Sequence, residues 1–308
     1  MLGAIGNAFA WARAALLKVN PWLGADADEA ARVFTLPNAA PDPRVAAARR
    51  AATLVRLGAS ADAWNAWAIA MQALAGKVAD DPAALRLWTY LATTDLAGAA
   101  VEPLRTDFAG LIFPGPSDFT AARFTDAAYF SGSTFAGEAR FANATFARGA
   151  LFERCTFKGA ASFEGVVLGR TGEFRCVEFL GPVTFGAARF QRDAWFRGGR
   201  FAAALDMSGA SFGGEAGLGD IHYGGPTSFA GVRFGDNAGF EEAVFRDVVR
   251  FDDARFERNA RFERARFERE PSFDRARFMG RTFFQGIAVP EGSAHVQKAI
   301  AELKRRLG

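Results

Sequence analysis

The sequence predicts a mainly β protein whose central part is a coiled β-solenoid, and two observations support this prediction. The first is a ladder of phenylalanines at alternating spacings of five and six residues, which runs from Phe108 to Phe284. The second is a small or β-branched residue two positions before most of these phenylalanines, as at Ala122 and Ala139. An internal repeat of this regularity outranks other signals, because it defines one structural unit that is stacked many times.

The ladder keeps its register through sixteen repeats of the paired five-and-six step, which provide 33 ladder positions. Only four of these positions are not Phe, and they hold Leu168, Met207, Leu218 and Tyr223, all apolar or aromatic. We expect the ladder residues to face inward and to be buried. The residues that we take to define the structural ladder are Phe119, Phe130, Phe141, Phe152, Phe163, Phe174, Phe185, Phe196, Phe240, Phe251, Phe262 and Phe273.

An 11-residue period also occurs in right-handed helical supercoils, so a helix has to be tested first. At about 100° per residue, the Phe and small positions of the unit point to all sides of a helix and form no apolar stripe. In an extended chain, residues two apart point to the same side, so each small residue and its Phe face inward together. The Gly, Asp and Asn residues between these pairs favour tight corners. A β-solenoid therefore explains the pattern, and a helix does not.

The number of strands in one coil follows from stacking like residues on like residues. Three strands would place five-residue steps on six-residue steps, and two strands would make a coil too flat to enclose phenyl rings. Four strands, or 22 residues, fit best and predict about eight coils between residues 108 and 284. We expect side chains to fill the interior, which leaves no room there for a ligand.

The small residue before each Phe and the near-pentapeptide spacing resemble the pentapeptide repeat proteins. The resemblance covers residues 108–284 and implies a right-handed quadrilateral β-helix in a bacterial-type protein. Two departures are evident: Arg123, Thr134 and Arg255 stand where the family's five-residue form carries Asp or Asn, and every second step has a sixth residue. The chain is similar to a longer, Phe-centred branch of the family, for which no shared biochemical function is implied.

The sequence divides into three regions. Residues 1–107 are Ala-rich and predict an α-helical domain, with helices at 43–58, 62–74 and 81–91. Residues 108–288 form the β-helix, and residues 289–308 a C-terminal capping helix. Within the helical domain, Trp64, Trp67 and Trp88 are expected to pack in its core, with a partner-binding aromatic patch as the alternative.

The two ends of the chain each leave two interpretations open. Ser293 can serve as the N-cap of a C-terminal helix whose apolar stripe is formed by Val296, Ile300, Leu303 and Leu307. This helix is expected either to cover the last coil or to form a homodimer contact, since some pentapeptide repeat relatives dimerise through their C-terminal ends. Residues 1–19 are expected either to pack on the helical domain or to contact a partner or a membrane surface.

Motifs for catalysis, cofactors and metals are close to absent. His222 and His295 lie far apart in the sequence, and neither belongs to a cluster with metal-ligand spacing. The Gly-rich segment 213–220 lies within the ladder and lacks the strand-to-helix context of a phosphate loop. Acidic residues such as Glu241 and Asp252 alternate with arginines, which favours a mixed-charge surface over a calcium site. We expect a protein that is not an enzyme, without catalytic residues, cofactor or metal.

Two function classes remain. One is a rigid protein-interaction scaffold with a partner of unknown identity. The other follows from the resemblance, because the best-known relatives look like a DNA duplex to topoisomerases and protect gyrase. Such mimicry requires a strongly negative rod, but residues 104–288 carry 23 acidic and 24 basic residues. The scaffold is therefore favoured. Because nucleic-acid binding depends on excess positive charge, a near-neutral rod is also not expected to bind nucleic acid.

Composition predicts a soluble protein of a reducing compartment, the cytoplasm. There are two cysteines, and Cys155 takes an inward position of the repeat whereas Cys176 falls on an outward one, so a disulfide between them is not expected. The apolar run at 63–76 is too short for a membrane span. The first residues lack the basic region that precedes the apolar part of a signal peptide.

Overall fold

The computed structural model describes residues 43–101 and 106–293. It begins with three helices, α1 (Pro43–Leu57), α2 (Ala61–Val78) and α3 (Pro82–Ala92), which confirm the three predicted helices to within a few residues. No helix among the described residues combines the length and the apolarity needed to cross a bilayer. Residues 1–19, His295 and the predicted C-terminal stripe of Val296, Ile300, Leu303 and Leu307 lie outside the described residues.

The helices are followed by a solenoid of 33 two-residue strands, arranged in four parallel sheets that we call faces 1 to 4 in the order in which the chain visits them. Face 1 consists of Thr94–Asp95, Ser117–Asp118, Ala139–Arg140, Ala161–Ser162, Val183–Thr184, Leu205–Asp206, Thr227–Ser228 and Val249–Arg250. Face 2 consists of Ala100–Val101, Arg123–Phe124, Thr145–Phe146, Val167–Leu168, Arg189–Phe190, Ser211–Phe212, Arg233–Phe234, Arg255–Phe256 and Arg277–Phe278.

The remaining two sheets complete the four-sided coil. Face 3 consists of Ala128–Tyr129, Ala150–Leu151, Gly172–Glu173, Ala194–Trp195, Ala216–Gly217, Ala238–Gly239, Ala260–Arg261 and Thr282–Phe283. Face 4 consists of Ile112–Phe113, Thr134–Phe135, Thr156–Phe157, Glu178–Phe179, Arg200–Phe201, His222–Tyr223, Val244–Phe245 and Arg266–Phe267.

The register of the sheets confirms the predicted coil. Thr134 pairs with Thr156 and Phe135 with Phe157, so that stacked residues are 22 positions apart. Sheets of eight, eight, eight and nine strands amount to about eight coils of four strands each. The right-handed sense of coiling stays a prediction.

The interior is filled by stacks of phenyl rings, as the ladder predicts. Within one stack, Phe113 lies 4.5 Å from Phe135 with the two rings 5° from parallel. Rings of different stacks meet edge to face, as Phe119 and Phe130 do at 5.6 Å and 89°. Both arrangements are favourable for aromatic quadrupoles, and they add to the large apolar area that each ring buries.

The ladder residues are buried, with two exceptions at the end of the solenoid. Phe196 and Phe262 have 0% of their surface exposed. Phe273 and Phe278 are only half-buried, because no described coil follows to cover them. Phe273 nevertheless keeps its place in the ladder, with its ring stacked 4.9 Å from that of Phe251.

The chain enters the solenoid at Thr94, ahead of the boundary at residue 108 expected from the Phe ladder. In this first coil Thr94 pairs with Ser117, so the coil is longer than the later ones by a single residue. Its inward positions are held by Leu96 and Val101, both buried. The extra residue and the absence of Phe from its first two faces together hide the start of this coil from a search for the repeat.

Three polar groups that point into the core are satisfied by backbone carbonyls. The hydroxyl of Ser133 donates to the carbonyl of Phe108 at 2.5 Å, and the thiol of Cys155 donates to that of Phe130 at 2.8 Å. The hydroxyl of Tyr223 donates to the carbonyl of Leu218 at 3.1 Å. These bonds remove most of the cost of placing a polar atom among phenyl rings.

The helices close the first coil and share its core. Trp64 and Trp67 are buried, and the ring of Trp64 meets that of Phe113 edge to face at 5.8 Å. The half-buried Trp88 donates its indole N–H to the carbonyl of Met71 at 2.7 Å. The predicted packing role of the three tryptophans thus extends beyond the helical region, since the core they join continues into the solenoid.

Candidate interaction surface

A trough of about 650 Å³ runs along the outside of face 1 and the corner that leads into it. It extends over six coils, from Glu138 at one end to Arg250 at the other. Its lining is mainly apolar, which distinguishes it from the charged side chains that surround it. We call this surface the face 1 trough.

One column of corner residues forms much of the trough, with one residue contributed by each coil. This column holds, at intervals of 22 residues, Ala160, Pro182, Ala204, Pro226 and Val248. The side chains are short or, for proline, folded back on the backbone, so the surface is lower here than where the same column carries Glu138.

The backbone of the corner explains why two prolines are accepted there. The carbonyls of the column continue the hydrogen-bonded ladder: the carbonyl of Pro182 accepts from the N–H of Ala161, and that of Pro226 from the N–H of Leu205, both at 3.0 Å. The corresponding N–H groups of Ala160 and Ala204 take no part in the described backbone hydrogen bonds. Proline, which lacks an N–H, therefore costs the ladder nothing at these positions.

Charged side chains mark the ends and the middle of the trough. At one end the guanidinium of Arg140 binds Glu138 at 2.5 Å, and at the other end lies Arg250. The hydrogen bond with Glu138 raises the pKa of Arg140. In the middle, the exposed carboxylate of Asp206 accepts the N–H of Ser208 at 2.8 Å and forms no ion pair with a described residue.

Two large apolar side chains stand exposed at or beside the trough. Leu180, in the corner that contains Pro182, has 42% of its surface exposed, and Val248 has 38%. Single exposed apolar residues are ordinary, whereas a contiguous apolar patch rimmed by charges indicates a binding surface. The trough can therefore bury an apolar segment, with Asp206 left to meet a cation.

The sequence-predicted residues that the structure describes lie outside the trough. The ladder phenylalanines point inward, and His222 is exposed on face 4. The Gly-rich segment 213–220 forms corners and the strand Ala216–Gly217. Acidic and basic residues of successive coils pair, as Asp253 and Arg275 do at 2.7 Å, which agrees with the predicted mixed-charge surface.

The trough itself was not foreseen from the sequence. Its signal is present there as an alternation of Ala and Pro at a spacing of 22 residues, one position before the inward small residue of face 1. This signal is visible only when the coil length is known, because one coil separates each residue of the column from the next. Among residues 43–101 and 106–293, no group of three or more His, Cys, Asp or Glu lies close enough together to hold a metal ion.

The fold and the continuous core define a four-sided β-solenoid repeat protein whose first coil is closed by helices. The family model of pentapeptide repeats (9 copies) matches residues 108–156, 119–167, 208–253 and 240–287. The resemblance to the pentapeptide repeat family that the sequence predicts is therefore confirmed over these residues. Searches among curated proteins and among solved structures found no match to the chain.

Proposed function

We propose that this protein is a non-enzymatic, cytoplasmic scaffold that binds a protein partner through the face 1 trough. The observation that carries the proposal is the apolar column at Ala160, Pro182, Ala204, Pro226 and Val248, exposed on an otherwise polar side of the rod. No described residue in or around this surface forms a nucleophile–base pair, which favours binding over catalysis.

The scaffold supplies a surface that is ordered before a partner arrives. Each strand of the trough pairs with strands of the coils before and after it, as Val183 pairs with Ala161 and with Leu205. Beneath it, the ring of Phe163 stacks 4.7 Å from that of Phe185. A preorganised surface loses little conformational entropy on binding, which increases the affinity gained from a given buried area.

The chemistry of the trough defines the partner as a protein segment with small apolar side chains and one basic side chain. The apolar side chains would cover the column between Pro182 and Pro226, and the basic group would pair with Asp206. A carboxylate beside an apolar patch discriminates against acidic segments, because these would leave like charges opposed.

Capture of partners from an extract of cells that express the protein tests this proposal. Ala204→Glu places a carboxylate in the trough at a position equivalent to Glu138, so the fold accepts the residue. Ala142→Glu is the matched control, since the equivalent position one coil later is Glu164 and Ala142 does not line the trough. A partner bound by the wild type and by Ala142→Glu but lost by Ala204→Glu, and then shown to bind as a purified protein, supports the proposal. Partners retained equally by both variants contradict it.

The alternative function is that of a DNA-mimic modulator of gyrase, which the charge of the rod disfavours. Residues 104–288 are nearly neutral, and the trough is apolar where a duplex would present phosphates.

A homodimer through the C-terminal helix and a peripheral membrane contact through residues 1–19 are further proposals for the ends of the chain. Gel filtration and vesicle co-sedimentation of the full chain test them.

A further inference from the structure

The near-neutral net charge of the rod conceals a strong separation of charge between its sides. We define side 2 by the strands of face 2 from Arg123–Phe124 onward, each taken together with the three corner residues that follow it. In the first of these coils side 2 is residues 123–127. The equivalent five residues recur every 22 positions, up to residues 277–281. Side 2 carries ten arginines and five carboxylates. The rest of residues 106–293 carries 13 basic and 19 acidic residues. One side of the rod is therefore distinctly basic, although the whole is not.

Elsewhere on the rod, several charged residues pair with a residue of opposite sign at the equivalent position of the next coil. Asp253 and Arg275 form an ion pair at 2.7 Å, Glu242 pairs with Arg264, and Asp118 lies 3.8 Å from Arg140. The residues of each pair are stacked neighbours on adjacent coils, about 4.8 Å apart. Opposite charges stabilise such neighbours, and like charges destabilise them.

Side 2 contains a column in which three arginines are stacked on one another. Arg148, Arg170 and Arg192 occupy equivalent corner positions of successive coils, and Arg189 is exposed on the adjoining strand. Arg148 is drawn to Asp126 at 3.8 Å, at the end of the column. No ion pair among the described residues involves Arg170, Arg189 or Arg192. The stacked arginines thus repel one another in the isolated protein, and an anionic group laid along the column would relieve that repulsion.

We propose that side 2 binds an acidic protein segment, centred on Arg170, Arg189 and Arg192. Arginine suits this role because its planar guanidinium binds carboxylates in a bidentate manner. The surface is separate from the face 1 trough, so the proposal holds whether or not the trough binds a partner.

The composition of side 2 favours an acidic protein over a nucleic acid. It has no outward-facing aromatic side chain in its described strands and corners, so it offers no platform on which bases could stack. Five carboxylates, among them Asp193 and Glu215, are spread along it and would repel a uniform row of phosphates. A protein segment can place neutral or basic residues opposite these carboxylates, whereas a phosphate backbone cannot.

Fluorescence anisotropy with the full-length protein tests the proposal. The probe is a fluorescein-labelled peptide of alternating glutamate and serine, and the competitors are a lysine–serine peptide and a DNA duplex of matched charge. The triple variant R170Q/R189Q/R192Q removes the centre of side 2. The control R154Q/R197Q/R200Q removes three exposed arginines from face 4 and the corner before it, and it leaves the protein with the same net charge.

The expected result is binding of the acidic peptide at physiological ionic strength, weakened about tenfold by the side 2 triple variant and less than about twofold by the control. Thermal melts of both variants verify that the fold is kept. An equal loss in the two variants would show that net charge alone attracts the peptide and would overturn the proposal. Absence of binding, or a duplex that binds as tightly as the peptide, would also overturn it.

Discussion

The side-chain amide of Asn65 pairs with the backbone at Ile112, the first residue of the first strand of face 4. Its Oδ1 accepts the N–H of Ile112 at 2.9 Å, and its Nδ2 donates to the carbonyl of Gly110 at 3.0 Å. The neighbouring Trp64 donates its indole N–H to the carbonyl of Ile112 at 2.7 Å. Two side chains of α2 thereby take the place of the strand that this edge lacks. An open edge of a sheet invites aggregation, so closing it protects the end of the solenoid.

The pairing at Ile112 predicts that Asn65→Ala destabilises the protein. The change removes two hydrogen bonds and leaves backbone groups of the edge strand without partners, and we expect a loss of about 1–2 kcal/mol in the free energy of unfolding. Gln72→Ala on the same helix is the control, because it also replaces a side-chain amide by Ala and no described hydrogen bond joins Gln72 to the solenoid. Urea unfolding measures the free energy of unfolding of both variants. A stability of Asn65→Ala equal to that of the control would show that the amide does not close the edge.

A second edge is closed by α1 in the same way. Thr53 accepts the N–H of Asp95 at 3.1 Å, and Arg49 binds the Asp95 carboxylate at 2.8 Å. Asp95 lies in the first strand of face 1, with 2% of its surface exposed. The helices thus act as a cap on two faces, which explains why the core runs without a break from Trp64 into the phenyl stacks.

Two glycine substitutions are predicted to act in opposite directions. Gly149 has φ +90°, and a Cβ there would lie 2.4 Å from the carbonyl oxygen of Thr171. Gly149→Ala should therefore lower the free energy of unfolding by about 2 kcal/mol or more. Gly76 lies in α2, and beyond the backbone of the helix itself no atom lies within 4 Å of the place a Cβ would take. Gly76→Ala should therefore raise the free energy of unfolding by about 1 kcal/mol. Thermal melts of the two variants side by side measure the difference, and a stabilised Gly149→Ala would refute the description of this corner.

The two thiols are predicted to differ sharply in reactivity. Cys176 is exposed, whereas Cys155 is buried and its burial raises its pKa to about 12. A thiol titration with Ellman's reagent at neutral pH should detect one thiol in the native protein and two in urea. Rapid reaction of both native thiols would show that the core opens far more readily than its packing implies.

The raised pKa of Cys155 also predicts a dependence of stability on pH. The folded protein holds the thiol proton more tightly than the unfolded chain, so this contribution is complete below the unfolded pKa of about 9 and is lost as pH rises toward 12. Cys155→Ala should lack this component. Urea unfolding of the wild type and of Cys155→Ala from about pH 8 to about pH 11 measures how steeply the free energy of unfolding falls with pH in each. This range begins below the pKa of the thiol in the unfolded chain and ends below its pKa in the folded protein. Parallel curves would contradict the assignment.

The charge distribution predicts that the protein does not act on gyrase. Residues 104–288 are close to neutral, and side 2 is basic, so the rod does not present the continuous negative surface of a duplex. Purified protein at micromolar concentration should neither inhibit supercoiling nor relieve quinolone poisoning. Clear protection of gyrase in this assay would restore the DNA-mimic function and overturn the argument from charge.

The sequence predicts the core well because the repeat is read directly from spacing. Phe196 and Phe262 could be placed inside the coil, and Cys176 outside it, from their positions in the unit alone. The start of the first coil could not be found, because Leu96 and Val101 replace Phe and the step to the next coil is one residue longer than the later steps. The trough and side 2 were missed for a different reason: both are columns with one residue in each coil, which become neighbours only when the coil length and the corners are known.

The coil around residues 205–225 is predicted to be the weakest part of the solenoid. Met207 and Leu218 interrupt two phenyl stacks there, and the segment contains seven glycines. Glycine raises the entropy cost of ordering the chain, and an aliphatic residue lacks the ring contacts of the ladder. Tyr223 preserves one stack, with its ring 5.5 Å from Phe201 and 4.4 Å from Phe245.

Amide hydrogen exchange should therefore show residues 205–225 less protected than residues 240–280. In the latter range the ladder is unbroken, and the ion pairs Glu242–Arg264 and Asp253–Arg275 join successive coils. The stability of a solenoid is roughly a sum of coil and neighbour terms, so a weak coil opens first. Met207→Phe restores the stack between Phe185 and Phe229 and should raise the protection of its own coil more than that of residues 240–280. Equal protection of the two segments in the wild type would mean that the rod unfolds as one cooperative block. In that case no single coil opens before the others, and the prediction would be wrong.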